Sequence, residues 1–207
     1  MNSFVPQVIR EFRKSFPLIA VTLAEGYSND LIVRMRNSEI DIAFIRTTIA
    51  NPDGFVVDLL QNEPDVVALP SGHVLARRKA HSDGALSLKD LVGENFFSFA
   101  GPHGALNMQG NALVAACQKA GFSPHVSPVA SNSVSRLNLV AAGLGIAVVP
   151  SSVQRVNIDG VVFRRLKSPI PLRSPFNLVS RRGDASPVVR QFLKVAKRIA
   201  KSFYEKL

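Results

Sequence analysis

Apolar residues recur at helical spacing through Phe4, Val8 and Phe12, with Val5, Ile9 and Phe16 beside them, while Arg10, Arg13 and Lys14 take the opposite face. This pattern predicts an amphipathic helix that ends near Pro17. Ile19-Ala20-Val21-Thr22-Leu23 then reads as a strand, and Gly26 with Ser28-Asn29-Asp30 predicts a turn and a helix N-cap ahead of Leu31-Ile32-Val33-Arg34-Met35. The next strand is Ile40-Asp41-Ile42-Ala43-Phe44-Ile45. Helix, strand, helix, strand in that order predicts a parallel sheet with helices on its faces.

The alternation resumes further on. Val66 to Pro70 reads as a strand, Ser71 to Asp90 as a polar, basic loop, and Phe96-Phe97-Ser98-Phe99 as a strand ending in Gly101-Pro102-His103-Gly104. A helix follows with Leu113, Ala116, Cys117 and Ala120 on one face and a stop at Gly121. Ser131-Asn132-Ser133 can cap a helix carrying Val134, Leu137, Val140 and Ala141, and Gly143-Leu144-Gly145 turns the chain into the strand Ile146 to Val149. Val161 to Phe163 and Phe176 to Val179 are the last strand candidates, separated by a proline-containing crossover. The final helix takes Ser186 as N-cap and Pro187 as its first residue. It buries Val189, Phe192, Ala196, Ile199 and Phe203 and exposes Arg190, Lys194, Lys197, Arg198 and Lys201.

Composition narrows the class. The 207 residues are 46% hydrophobic and 19% charged, enough to fold without staples, and one cysteine, Cys117, allows no intrachain disulfide. The longest apolar stretch, Leu139 to Pro150, is shorter than the roughly 20 residues that span a bilayer. No basic and apolar leader opens the sequence, so a soluble, cytoplasmic protein without membrane association is expected. Net charge is +10, which draws in nucleic acid or small anions, but the basic runs are short and read first as solvated surface.

Catalytic chemistry is not visible. The four histidines form no ligand pair, no Gly-x-Ser-x-Gly elbow or phosphate-binding loop is present, and Cys117 sits on an apolar helix face where burial makes a thiol inert. Neither a metal nor a cofactor is expected, and an enzyme is not the favoured reading. Gly143-Leu144-Gly145 is not a dinucleotide fingerprint, because it leaves a helix and enters a strand; its glycines suit C-capping and close packing.

Three stretches together carry a resemblance: Phe4-Val5-Pro6-Gln7-Val8-Ile9-Arg10-Glu11-Phe12 through Phe16-Pro17, then Glu39 to Phe44, then Leu139-Val140-Ala141-Ala142-Gly143-Leu144-Gly145-Ile146 through Pro150. In this order and spacing they resemble the effector-binding domain of LysR-type transcriptional regulators, in the branch that senses aromatic acids. The resemblance implies an α/β fold of two Rossmann-like lobes joined by two crossovers, like a type 2 periplasmic binding protein. Lobe one would be residues 1–63 plus 168–207 and lobe two residues 64–167. It also places a first strand and a DNA-reading winged helix-turn-helix ahead of Phe4, outside this chain.

The implied function is to bind a small anionic, aromatic or unsaturated carboxylate in the cleft between lobes and control transcription through that DNA-binding domain. The implied assembly is a homodimer, a tetramer in the full-length protein, with DNA contacted only through the absent domain. By position, Ser28 matches a Ser/Thr that touches ligand, with Asn29 beside it. Arg46 matches an arginine of the benzoate- and muconate-sensing branch, with Thr47 beside it, and a guanidinium there can pair bidentately with carboxylate. The second lobe would add Ser98, Phe99, Gly101, Asn107, Ser131, Asn132 and Ser133. A transporter's solute-binding protein is the alternative with the same architecture.

Overall fold

The computed structural model describes residues 4–49, 51–77, 84–98, 108–128 and 132–204. The chain forms two compact units, Met1–Asn62 with Pro175–Leu207, and Glu63–Ser174. It passes from the first to the second within one long strand and returns within another.

Unit one is built from α1 (Phe4–Ser15), α2 (Ser28–Arg36), β1 (Ile42–Ile45), the first part of β2 (Phe55–Pro70), most of β8 (Arg173–Arg181) and α6 (Pro187–Tyr204). β1 pairs antiparallel with β8, Ile42 opposite Ser180 and Ile45 opposite Asn177. Side chains alternate across this sheet. Ile42, Phe44, Phe176 and Leu178 pack with α1 and α6, whereas Ala43, Ile45 and Val179 pack with Leu31, Ile32 and Met35 of α2. Phe4 meets Phe203 at 5.3 Å between ring centroids and Phe12 meets Phe192 at 5.1 Å, so α1 and α6 run antiparallel on one face. Ser186 caps α6 as its sequence predicts, accepting from the Val189 N–H at 3.3 Å.

Unit two holds the rest of β2, α3 (Val74–Arg77), β3 (Leu86–Ser87), β4 (Asn95–Ser98), α4 (Met108–Lys119), β5 (His125–Pro128), α5 (Ser133–Ala141), β6 (Ile146–Pro150) and β7 (Val161–Lys167). β4 pairs parallel with β5 and β6, and β2 pairs antiparallel with β6 and β7. Both faces of this sheet are covered. Val67, Leu69, Phe96, Ile146 and Val148 pack with α4, and Val66, Ala68, Phe97, Ala147 and Val149 with α5.

Several expectations are corrected. Ile19–Leu23 forms no strand: Ile19 and Val21 lean on the α1–α6 core, but among the described residues nothing hydrogen-bonds to the segment as a ladder, and Leu23 stays 63% exposed. The sheets are not purely parallel: in unit two β4 runs parallel to β5 and β6 while β2 runs against β6 and β7, and in unit one β1 and β8 pair antiparallel. The expected loop Ser71–Asp90 contains α3, β3 and a 3-10 turn, Leu88–Leu91, closed by a capping box between Ser87 and Asp90. In α5 Arg136 is buried beside the expected Leu137 and Val140, while Val134 is 38% exposed. The Gly143–Gly145 reading matches the structure. The Gly143 N–H reaches the Val140 carbonyl and the Leu144 N–H the Leu139 carbonyl, with Gly143 at φ 77°, a Schellman cap.

Candidate functional site

In unit one, α2 turns through residues 37–41 directly into β1, and helix and strand share one core. The start of α2 and the C-terminal end of β1 therefore lie at the same end of the unit. Ser28 is the first residue of α2 rather than its cap; the cap position is Tyr27, and it gives no side-chain hydrogen bond. The first N–H groups of this helix keep their anion-binding character. Asn29 is exposed beside Ser28.

At the strand end, Arg46 is half-buried and lays its guanidinium over the Phe176 ring, 4.8 Å from the centroid. Phe176 is fully buried and stacked on Phe44, so the cation rests on a rigid platform. Thr47 follows, its carbonyl accepting from Asn177 Nδ2 at 2.9 Å. Phe176 and buried Asn177 are contributors that the sequence reading passed over as strand residues. The available signal was an amide in the otherwise apolar Phe-Asn-Leu-Val run. Asp41, just ahead of β1, is ion-paired at 2.7 Å with Arg181, which also donates to the Ile40 carbonyl.

In unit two, Asp65 stands opposite Pro150 at the C-terminal end of β6, and β4 runs parallel to β6. Ser98, buried, ends β4 at that same end, where α4 and α5 begin. Asn132 caps α5, its side-chain oxygen accepting from the Ser135 N–H at 2.9 Å, and Ser133 is half-buried in the first turn. Phe99, Gly101, Asn107 and Ser131 lie outside the described residues.

Beneath this end runs a polar network that the sequence reading missed. Asp65 accepts from the Ser174 hydroxyl at 2.7 Å and from Gln109 Nε2 at 3.3 Å, and Gln109 also donates to Ser174 at 2.9 Å. Arg136, only 1% exposed, sits in the field of Asp65. Burial lowers its pKa to about 10, and Asp65 opposes that fall. Buried Glu63 accepts from the Ser152 N–H at 2.9 Å, at the start of the 3-10 turn that follows β6. Gln109 thus ties the first turn of α4 to β2, and Arg136 sets the first turn of α5 in the field of the same β2 carboxylate. The sequence signal for Arg136 was its adjacency to Leu137 on a helix whose other inward residue is Val140.

Two surface grooves include none of the expected site residues. One is lined by Asp58, Leu60, Gln61, Lys197 and Ala200, the other by Pro64, Leu166, Lys167, Pro171 and Arg173. The chemistry sits at strand ends and helix starts, as in open α/β sheets generally.

The LysR substrate binding domain description matches residues 1–201. This chain belongs to that family. Among LysR relatives it is 27% identical over 195 residues to the HTH-type transcriptional regulator AlsR of Bacillus subtilis (strain 168), covering 93% of the chain and 61% of AlsR. It is 31% identical over 189 residues to CatR of Pseudomonas putida, covering 91% and 62%. The chain therefore spans about 60% of these regulators' length.

The fold is shared with the BenM effector binding domain with its effector benzoate, at TM-score 0.79 and 24% identity over 97% of this chain and 87% of that one. It is shared also with the effector binding domain of QuiR in complex with shikimate, at TM-score 0.78 and 20% identity over 97% and 91%. The fold is that of the two-lobed LysR domains. These relatives are named as regulators, neither enzymes nor transporter solute-binding proteins. Among the described residues no helix is long and apolar enough to cross a membrane.

Proposed function

We propose that this chain is the sensor of a cytoplasmic LysR-type regulator: it binds a small aromatic or unsaturated carboxylate without transforming it. The full-length protein, a homodimer or tetramer, then controls transcription through an N-terminal DNA-binding domain. The lobes are assigned as residues 1–63 plus 168–207 and 64–167. The observation that carries the reading is Arg46, its guanidinium carbon 4.8 Å above the Phe176 ring centroid at the end of unit one where the uncapped start of α2 lies. A guanidinium is a fork of N–H donors whose geometry matches a carboxylate, and Ser28, Asn29 and Thr47 add polar groups beside it. In unit two the candidates are Ser98, at the end of β4, and Asn132 and Ser133, at the start of α5, together with Phe99, Gly101, Asn107 and Ser131, which lie outside the described residues. The benzoate and shikimate complexes of fold neighbours support an organic-acid effector.

A thermal-shift screen of small carboxylates identifies the effector, and calorimetry then compares wild type with Arg46→Ala and Arg46→Lys. Loss of a charge-assisted bond costs about 1.5–3 kcal/mol, roughly ten- to a hundredfold in affinity. Lysine keeps the charge but not the fork, so it restores only part. Unchanged affinity in both variants removes Arg46 from the site.

A further inference from the structure

The charge surplus is not spread evenly over the fold. Three bases and one acid on α1, with five bases and no acid on α6, give these two helices +7 of the chain's net +10. They lie side by side, antiparallel, with their apolar stripes in the same core. The α6 cations, Arg190, Lys194, Lys197, Arg198 and Lys201, fall at i, i+4, i+7, i+8 and i+11, and all are exposed. Arg10, Arg13 and Lys14 of α1 are exposed too. The acids paired to these cations are Glu11, with Lys14 and Arg10, and Asp58, with Lys197.

We propose that, besides the sequence-reading contact that the N-terminal domain makes, this face is a docking surface for the phosphate backbone of duplex DNA, giving the domain a weak, sequence-independent affinity of its own. From Arg190 to Lys201 the stripe is about 16 Å long at 1.5 Å per residue. Duplex DNA carries a negative charge about every 1.7 Å of axis, counting both strands, so a stripe of this length lies against several phosphates. The other anionic macromolecules fit less well. An interfacial membrane helix needs its apolar face free, and both helices have spent theirs on the sheet. Single-stranded RNA is held by exposed aromatic platforms, whereas the described aromatic rings of α1 and α6 all belong to the core between the helices and the sheet.

The test uses the 207-residue chain and two fluorescent duplexes of about 30 base pairs with unrelated sequences, titrated by anisotropy between about 20 and about 300 mM KCl. Equal affinity for both is expected, with log K against log salt falling at a slope of about −4 to −6. The triple variant Lys194→Glu, Arg198→Glu, Lys201→Glu should lose at least about tenfold in affinity and flatten the slope by about 3. A control with the same charge change in unit two, Arg77→Glu, Lys89→Glu, Lys119→Glu, should lose much less. Circular dichroism verifies that both variants fold. No binding at low salt, equal losses in the two triple variants, or capture by phosphatidylserine vesicles or polyglutamate in preference to DNA would each overturn the proposal.

Discussion

The Asp65–Arg136 pair offers the sharpest test of the energetics. A guanidinium whose pKa burial brings down to about 10 carries a penalty of about 3 kcal/mol on its charged form, even with Asp65 acting in its favour. Asp65→Asn keeps the shape and hydrogen-bonding capacity toward Ser174 and removes the anion, so it should cost about 3–5 kcal/mol, as breaking a buried pair does. Arg136→Met leaves Asp65 its Ser174 and Gln109 donors, and should cost less, about 1–2 kcal/mol. The double variant removes both the charge and its penalty, and should return to within about 1 kcal/mol of wild type. Urea unfolding followed by circular dichroism measures the cycle, since the chain has no tryptophan. Below pH 10 both folded and unfolded states hold the proton, so the cycle should be flat. Above it the folded state releases its proton first, the penalty is relieved, and wild type should gain stability relative to Arg136→Met. An Asp65→Asn loss below about 1 kcal/mol, or a double variant equal to the sum of the singles within about 0.5 kcal/mol, refutes the coupling.

Gly145→Ala places a Cβ 2.6 Å from the Asn95 carbonyl oxygen and 3.0 Å from the Phe97 ring, and should cost about 1–3 kcal/mol in thermal unfolding, while Gly72→Ala, with open space around it, should not. Ser186→Ala should lose about 1 kcal/mol with the α6 cap, measured the same way. Burial raises the Cys117 thiol to about 11, so iodoacetamide at pH 8 should label it only after unfolding. Because the unfolded thiol ionises first, wild type should lose stability relative to Cys117→Ala as pH rises from about 9 to about 11; rapid labelling of the native protein contradicts that burial.

Local pattern determined much of this protein. The helical spacing of Phe4 to Phe12, the Ser186-Pro187 start of α6 and the glycine exit from α5 each depend on residues a few positions apart, so each was legible in the sequence. The resemblance supplied the family, and with it Ser28 and Arg46 as candidates. What failed was what depends on a partner distant in sequence. Ile19–Leu23 has strand composition, but a strand is a ladder, and no described neighbour completes one. β5, His125–Pro128, has little strand composition and exists because β4 offers it an edge. Arg136 looks solvent-facing on composition, yet the sheet behind α5 and the carboxylate of Asp65, 71 positions earlier, bring it inside. Sequence also showed the basic residues one by one; only the antiparallel packing of the first and last helices gathered them on one face, because burying two apolar stripes in one core turns both polar stripes outward together.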